Sequence, residues 1–132
     1  MSKLLERLSD PARSGVYRVT RVNEVLDALR GSGLALARVD LRQPVFDAFS
    51  QALAFPDWFG RNWDALEDCL SDLSWREAAG HVLLLEGAED TRMLADVLGS
   101  AAQFWAGQGR PFFAVFLDPQ RRLKLKDLFR EA

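Results

Sequence analysis

The apolar residues of this chain fall into short blocks with two alternating periods. Leu34–Leu41 (LALARVDL) is a nearly continuous apolar run, the pattern of a strand covered on both faces. His81–Leu85 (HVLLL) is the most strongly apolar block, and Pro111–Leu117 (PFFAVFL) reads as a last buried strand. Val16–Thr20 is a shorter strand candidate. Between these runs the spacing becomes helical. Leu4, Leu5 and Leu8 share a side of a short helix over Lys3–Leu8. Val25, Leu26 and Leu29 form the stripe of a helix over Glu24–Arg30, with Asn23 as its expected cap and Gly31-Ser32-Gly33 as its stop. Pro44 precedes a helix marked by Phe46, Phe49 and Leu53. A long helix over about Thr91–Gln108 is expected to point Met93, Leu94, Val97, Leu98, Ala101, Phe104 and Trp105 inward. A terminal helix is expected over Gln120–Glu131, with Leu123, Leu125, Leu128 and Phe129 apolar.

Strands that alternate with helices predict an α/β fold, here a small, mainly parallel sheet of three to four strands packed with helices. A length of 132 residues is enough for one domain with a single modest core. There is no internal repeat and no low-complexity segment.

One helix does not fit the ordinary amphipathic scheme. Phe55–Leu73 (FPDWFGRNWDALEDCLSDL) runs from a proline turn through Trp58, Phe59 and Trp63 into a helix that Asn62 can cap. Leu66, Cys69, Leu70 and Leu73 recur on its inner face. The outer face carries Asp64, Glu67, Asp68, Ser71 and Asp72, with no Lys or Arg between Asn62 and Trp75. Net charge over the whole chain is −2, which gives no general reason to expect nucleic-acid binding. Locally the balance is uneven. Asp57–Asp72 sets Asp57, Asp64, Glu67, Asp68 and Asp72 against Arg61, a net of −4. Arg121–Ala132 sets Arg121, Arg122, Lys124, Lys126 and Arg130 against Asp127 and Glu131, a net of +3. A solvated face is the expected reading of that basic end.

Several kinds of chemistry lack their residues. The single cysteine, Cys69, forms no intrachain disulfide, and its inward, acid-flanked place disfavours a thiolate nucleophile. His81 is the only histidine and stands at the entrance to a buried strand, so zinc patterns are absent and no metal is expected. No glycine loop matches a nucleotide fingerprint, and no cofactor is implied. The N-terminus has no apolar run long enough for a signal peptide, and no stretch approaches a membrane span. A cytoplasmic protein is the default expectation.

Three readings of the acidic face remain, the plainest being a solvated helix face. Asp64 and Asp68 lie four apart and face the same way, which leaves open a small hydrolase using paired carboxylates. A helix exterior is a poor place for that chemistry, because nothing apolar there would drive the two pKa values apart. Carboxylates rimmed by aromatics instead suggest a protein interface, in which the rings anchor and the acids steer a basic partner.

The run Phe55-Pro56-Asp57-Trp58-Phe59-Gly60-Arg61-Asn62-Trp63-Asp64-Ala65-Leu66-Glu67-Asp68-Cys69-Leu70 resembles the signature of the barstar family, intracellular inhibitors of the ribonuclease barnase. Coarser similarity covers about Leu34–Asp118. The resemblance implies a single barstar-like domain with a three-stranded parallel sheet as its core, an extra strand–helix unit at residues 1–33 and a C-terminal helix at 119–132. It implies a non-enzymatic, bacterial-type inhibitor that neutralises an extracellular-type basic ribonuclease as a monomer in a 1:1 complex, without binding nucleic acid or membrane itself. By the same resemblance Asp68 falls on the acid that enters the nuclease's phosphate pocket, and Asp64 on a second contact acid. Trp58 falls on the aromatic that packs on the catalytic histidine. Gly60, Asn62, Trp63 and Ser71 fall on further contact positions.

The departures are specific. Trp58 stands where the family type has Tyr, Glu67 replaces a contact tryptophan, and Asp72-Leu73 replaces a Gly-Trp pair. The family's late glutamate has no counterpart within Ala101–Gln108. A different cognate nuclease, or another basic partner for the same acidic face, is therefore kept as the alternative.

Overall fold

One parallel sheet separates two layers of helices in the computed structural model, which describes residues 3–88 and 91–129. The strands are β1 (Gly15–Val19), β2 (Ala35–Asp40), β3 (His81–Glu86), β4 (Phe112–Leu117) and β5 (Lys126–Asp127). Their order is β2-β3-β4-β1-β5, and every pairing is parallel. The helices are α1 (Lys3–Leu8), α2 (Asn23–Leu29), α3 (Val45–Leu53), α4 (Trp63–Leu70) and α5 (Arg92–Gly107), with a single 3-10 turn at Pro11–Arg13.

The strand order explains which helix lies on which face. From β1 the chain crosses through α2 past two strands to β2, then returns strand by strand through β3 to β4. Right-handed crossovers in opposite directions put their helices on opposite faces. Alternation along the strands supplies both faces with apolar side chains. Val82, Leu84, Phe113 and Val115 pack with α1 and α2 through Leu4, Leu8, Val25 and Leu29. Leu83, Leu85, Phe112, Ala114 and Phe116 pack with α3, α4 and α5. The acidic helix α4 thus rides on the larger of the two cores.

Four expectations change. First, the sheet has five strands, not three or four. β1, from the segment read as an addition to the family core, sits between β4 and β5 with Val16 opposite Ala114. Second, β2 is an edge strand. Its apolar composition suggested cover on both faces, yet Arg38 is exposed and pairs with Glu86 on β3.

Third, the C-terminal segment is not a helix within its described part. It turns after β4 and returns as β5 beside β1, with residues 130–132 outside the described structure. The turn is set by Asp118, whose carboxylate accepts the backbone N–H groups of Arg122 and Leu123, both at 2.9 Å. Burial would raise the Asp118 pKa, but those donors and Arg18 outweigh it and hold the group below its usual value. Leu123 and Leu125 face the core while Arg122, Lys124 and Lys126 face out, a period of two. Fourth, α2 is capped by Val22 without a side-chain bond, and Asn23 is its first helical residue.

His81 occupies a buried place at the start of β3, 2% exposed and packed between the rings of Trp105 (5.6 Å) and Phe112 (6.5 Å). Burial, and next the nearby Arg76 and Arg110, lower its pKa from 6.5 to about 4. The folded state therefore binds its proton less readily than the unfolded chain. Stability from neutral His81 is complete above pH 6.5 and is lost as pH falls from there to about 4. The expected loss is roughly 3 kcal/mol over that window. In urea denaturation at pH 7 and pH 4.5, His81→Gln is expected to lose distinctly less stability than the wild type. Equal losses would mean that His81 does not stay neutral in the fold.

Candidate functional site

The loop before α4 is fastened from beneath by aromatic rings. α3 ends at Ala54 in the left-handed region (φ 53°), and the Phe59 N–H closes a turn onto the Pro56 carbonyl at 3.0 Å. Phe55 and Phe59 are buried edge to face at 4.8 Å. Phe46 of α3 meets Phe59 at 6.2 Å and the half-buried Trp63 at 5.2 Å. Of the three loop aromatics singled out in the sequence, Phe59 belongs to the core and Trp63 largely does. Trp58 alone projects, 66% exposed, with its ring edge-on to Trp75 at 6.4 Å.

The helix start is built from short-range contacts. Arg61 takes a left-handed conformation (φ 53°), and its guanidinium pairs with Asp47 on α3. Asn62 caps α4: its Oδ1 accepts the Ala65 N–H at 2.8 Å, and its Nδ2 donates to the Gly60 carbonyl at 3.2 Å. A Cβ on Gly60 would lie 3.3 Å from Ala65 Cβ and 3.4 Å from Asn62 Nδ2, so this close turn favours glycine.

α4 ends at Leu70, three residues earlier than expected, with Ser71 as its C-cap and Leu73 in the left-handed region (φ 48°). The indole N–H of Trp105 on α5 donates 2.7 Å to the Leu70 carbonyl, satisfying one of the unpaired acceptors at the helix end. Trp75 does the same for α3, donating 2.9 Å to the Leu53 carbonyl. Two indoles thus fix the ends of the two helices that flank the loop.

Leu66, Cys69 and Leu70 point into the core. Asp64 and Asp68 are exposed, and Glu67 is half-buried. Ser71 (half-buried) and Asp72 (exposed) lie beyond the helix rather than on its face. The structure therefore groups Asp64 and Asp68 on one exposed helical stripe, with Asp72 at its foot and Trp58 in the loop before it.

None of Asp64, Glu67, Asp68 and Asp72 has an ion-pair partner among the described residues. The one base in this stretch, Arg61, is spent on Asp47. The carboxylates' field is felt inside the helix: burial, then Asp72 and Asp68, push the Cys69 thiol above its usual pKa. No group of three His, Cys, Asp or Glu side chains among the described residues is placed to hold a metal ion. No helix among the described residues is long and apolar enough to cross a membrane.

Among the described residues, then, an all-parallel α/β domain exposes an acidic helix without an internal counter-charge, beside a projecting tryptophan. The family model of barstar, the barnase inhibitor, matches residues 33–117, and the chain belongs to that family. The match spans β2 to β4 with α3, α4 and α5 between them. No curated protein matches the chain.

Sequence reasoning missed the supports of this site: Phe46, Asp47, Trp75 and Trp105. A signal existed for the last two. A tryptophan inside a hydrophobic pattern still carries an N–H that needs an acceptor. Helix C-termini offer such acceptors, but which one is used depends on chain segments far apart in sequence.

Proposed function

We propose that this protein inhibits a basic, barnase-type ribonuclease by seating the acidic face of α4 and the loop before it in the enzyme's active site. Asp68 is the central group and Asp64 its neighbour. Trp58 is the aromatic anchor, Gly60 and Asn62 shape the loop edge, and Trp63, Glu67, Ser71 and Asp72 border the contact. One observation carries the reading: four carboxylates cluster at and just beyond α4 with no ion-pair partner among the described residues. Asp64 and Asp68 repel each other in the free protein, at roughly 0.2–0.5 kcal/mol for such a spacing. A cationic pocket relieves that repulsion and uses the same charge to speed encounter. The action needs no cofactor and no turnover, because it consists of charge and shape complementarity. The complex is one inhibitor to one enzyme, formed in the cytoplasm before the nuclease is exported.

The test is titration of barnase and other barnase-type ribonucleases with this protein, read as residual RNA cleavage at low and high salt. Stoichiometric inhibition that weakens as salt screens the charges is expected. If none of these nucleases is bound at micromolar protein, the proposal is wrong.

A further inference from the structure

The basic C-terminal segment and the end of β1 meet at a place that inhibition does not use. Adjacent strands β4 and β1 send the chain out in opposite directions: β1 through α2 toward β2, and β4 through the Asp118 turn to β5. α2 packs on one face of the sheet, while Leu123 and Leu125 of the other connection pack on the opposite face. Connections that part in this way leave a crevice beyond the carboxyl ends of their strands, and α/β proteins bind ligands there. In this protein the place holds a cavity of about 260 Å³. None of its lining falls within residues 33–117, the span matched by the family model, so it is separate from the acidic face of α4.

The lining is of two kinds. Arg18 and Arg21 come from the end of β1 and the turn after it, Arg121 comes from the connection to β5, and two carboxylates, Glu24 and Asp127, stand among them. Leu4, Val25 and Phe129 supply apolar wall. The three cations are not held alike. Arg18 is committed, with its Nε donating to Asp127 at 2.9 Å. Arg21 reaches Glu24 only at 3.4 Å and Arg121 reaches Asp127 only at 3.8 Å, with the two arginine side chains 77% and 59% exposed. Exposed pairs of that length contribute little, so both guanidiniums can turn to a stronger acceptor. Asp118 does not line the cavity, and its oxygens already accept the N–H groups of Arg122 and Leu123. Arg121 also takes the left-handed conformation (φ 54°), in which an ordinary side chain is strained and glycine or asparagine is favoured. The turn carries an arginine there instead, and the side chain it gains lines the cavity.

We propose that this cavity binds a small organic phosphate. The phosphate bridges Arg21 and Arg121 beside the Arg18–Asp127 pair, and the carbon body lies against Leu4, Val25 and Phe129. Two guanidiniums match the double charge of a phosphate monoester and offer forked donors to its oxygens. The cavity is smaller than the roughly 300–1,000 Å³ of ordinary ligand pockets, which limits the body to a few carbon atoms. Because Arg21 follows β1 and Arg121 follows β4, one bound phosphate ties both connections together. The C-terminal segment is then held more firmly with the ligand present than without it.

The probes are glycerol 3-phosphate and inorganic phosphate, titrated at constant ionic strength and followed by backbone amide shifts. Glycerol 3-phosphate is expected to bind saturably and at least tenfold more tightly than inorganic phosphate, with the shifts centred on Thr20, Arg21 and Arg121. Amide exchange at Leu128 should slow in its presence. Arg21→Met and Arg121→Met should each weaken binding at least tenfold, while the ligand-free variants melt with the wild type. Lys124→Met removes an exposed cation of the same segment that does not line the cavity, and it should change the affinity less than twofold. Equal losses in Lys124→Met and Arg21→Met would show general attraction to a basic surface and overturn the site, as would an Arg21→Met variant within twofold of wild type. Inorganic phosphate binding as tightly as glycerol 3-phosphate would overturn the organic ligand. If neither probe binds saturably at millimolar concentration, the whole proposal is wrong.

Discussion

Asp68→Ala is expected to weaken inhibition of a barnase-type ribonuclease at least a hundredfold without reducing the stability of the free protein. The second half of that expectation comes from the structure. Asp68 is exposed and has no ion-pair partner among the described residues, so its removal breaks nothing in the unbound fold. It relieves repulsion with Asp64, four residues away, and a slight rise in stability of about 0.2–0.5 kcal/mol is expected. The whole cost then falls on the complex. Removing one partner of a buried ion pair costs about 3–5 kcal/mol, because the remaining charge stays desolvated and unmatched. Each 1.4 kcal/mol is about a factor of ten in affinity. Inhibition titrations and thermal melts of the same two proteins supply both readouts. A loss below threefold with an unchanged melt would place the binding surface elsewhere than on α4. A lower melting temperature would show that Asp68 has a structural role that its exposure does not suggest.

Arg18→Ala is expected to have the largest effect on the fold, a loss of about 3–5 kcal/mol, because it takes the guanidinium away from the buried Asp118 carboxylate. Arg18 lies on β1, and its side chain is 15% exposed. Its Nε donates to Asp127 of β5 at 2.9 Å, and its Nη1 reaches Asp118 at 3.5 Å and the Leu123 carbonyl at 3.4 Å. Asp118 is 5% exposed and itself holds the turn into β5. One guanidinium thus fastens the C-terminal segment to the sheet. Without it β5 should detach, and amide exchange at Leu128, whose N–H donates to the Arg18 carbonyl at 2.9 Å, should become fast. Denaturant unfolding of Arg18→Ala beside Arg18→Met/Asp127→Asn separates the contributions. The double variant should recover part of the loss, since methionine refills the volume of the Arg18 stem and the substitution at Asp127 removes a charge that had been matched to Arg18. A single variant within 1 kcal/mol of wild type would mean that the strap does not depend on this pair. Inhibition at saturating protein should persist in either variant while the fold holds, because β5 lies at the opposite edge of the sheet from β2.

The legibility of this chain in sequence was uneven, and the reason lies in how local each decision is. β3, β4, α3 and α5 were readable because their apolar periods are long and their bounds carry Gly, Pro or polar breaks. The Asn62 cap was readable because its bond to Ala65 spans three residues. The C-terminal segment misled because Leu123, Leu125 and Leu128 satisfy a period of two as well as a helical spacing. Its choice depended on an open edge of β1 and on Asp118, which the pattern does not show. Ser71 and Asp72 were assigned to the helix because nothing local marks Leu70 as the end. The acceptor that ends it is claimed by Trp105, distant in sequence.

By itself, then, the sequence determined an alternating α/β chain, an uncompensated run of carboxylates between Asn62 and Trp75, and a motif specific enough to carry a family resemblance. These are properties of composition and short spacing, which travel with the chain. The tertiary structure alone decided that β1 enters the sheet beside β4, that Phe59 is covered while Trp58 projects, and that Met93 and Phe104 stay largely exposed instead of filling the core. An apolar residue states only that burial would be favourable. Whether a neighbour arrives to cover it depends on contacts between distant segments, and at Trp58, Met93 and Phe104 that cover is only partial.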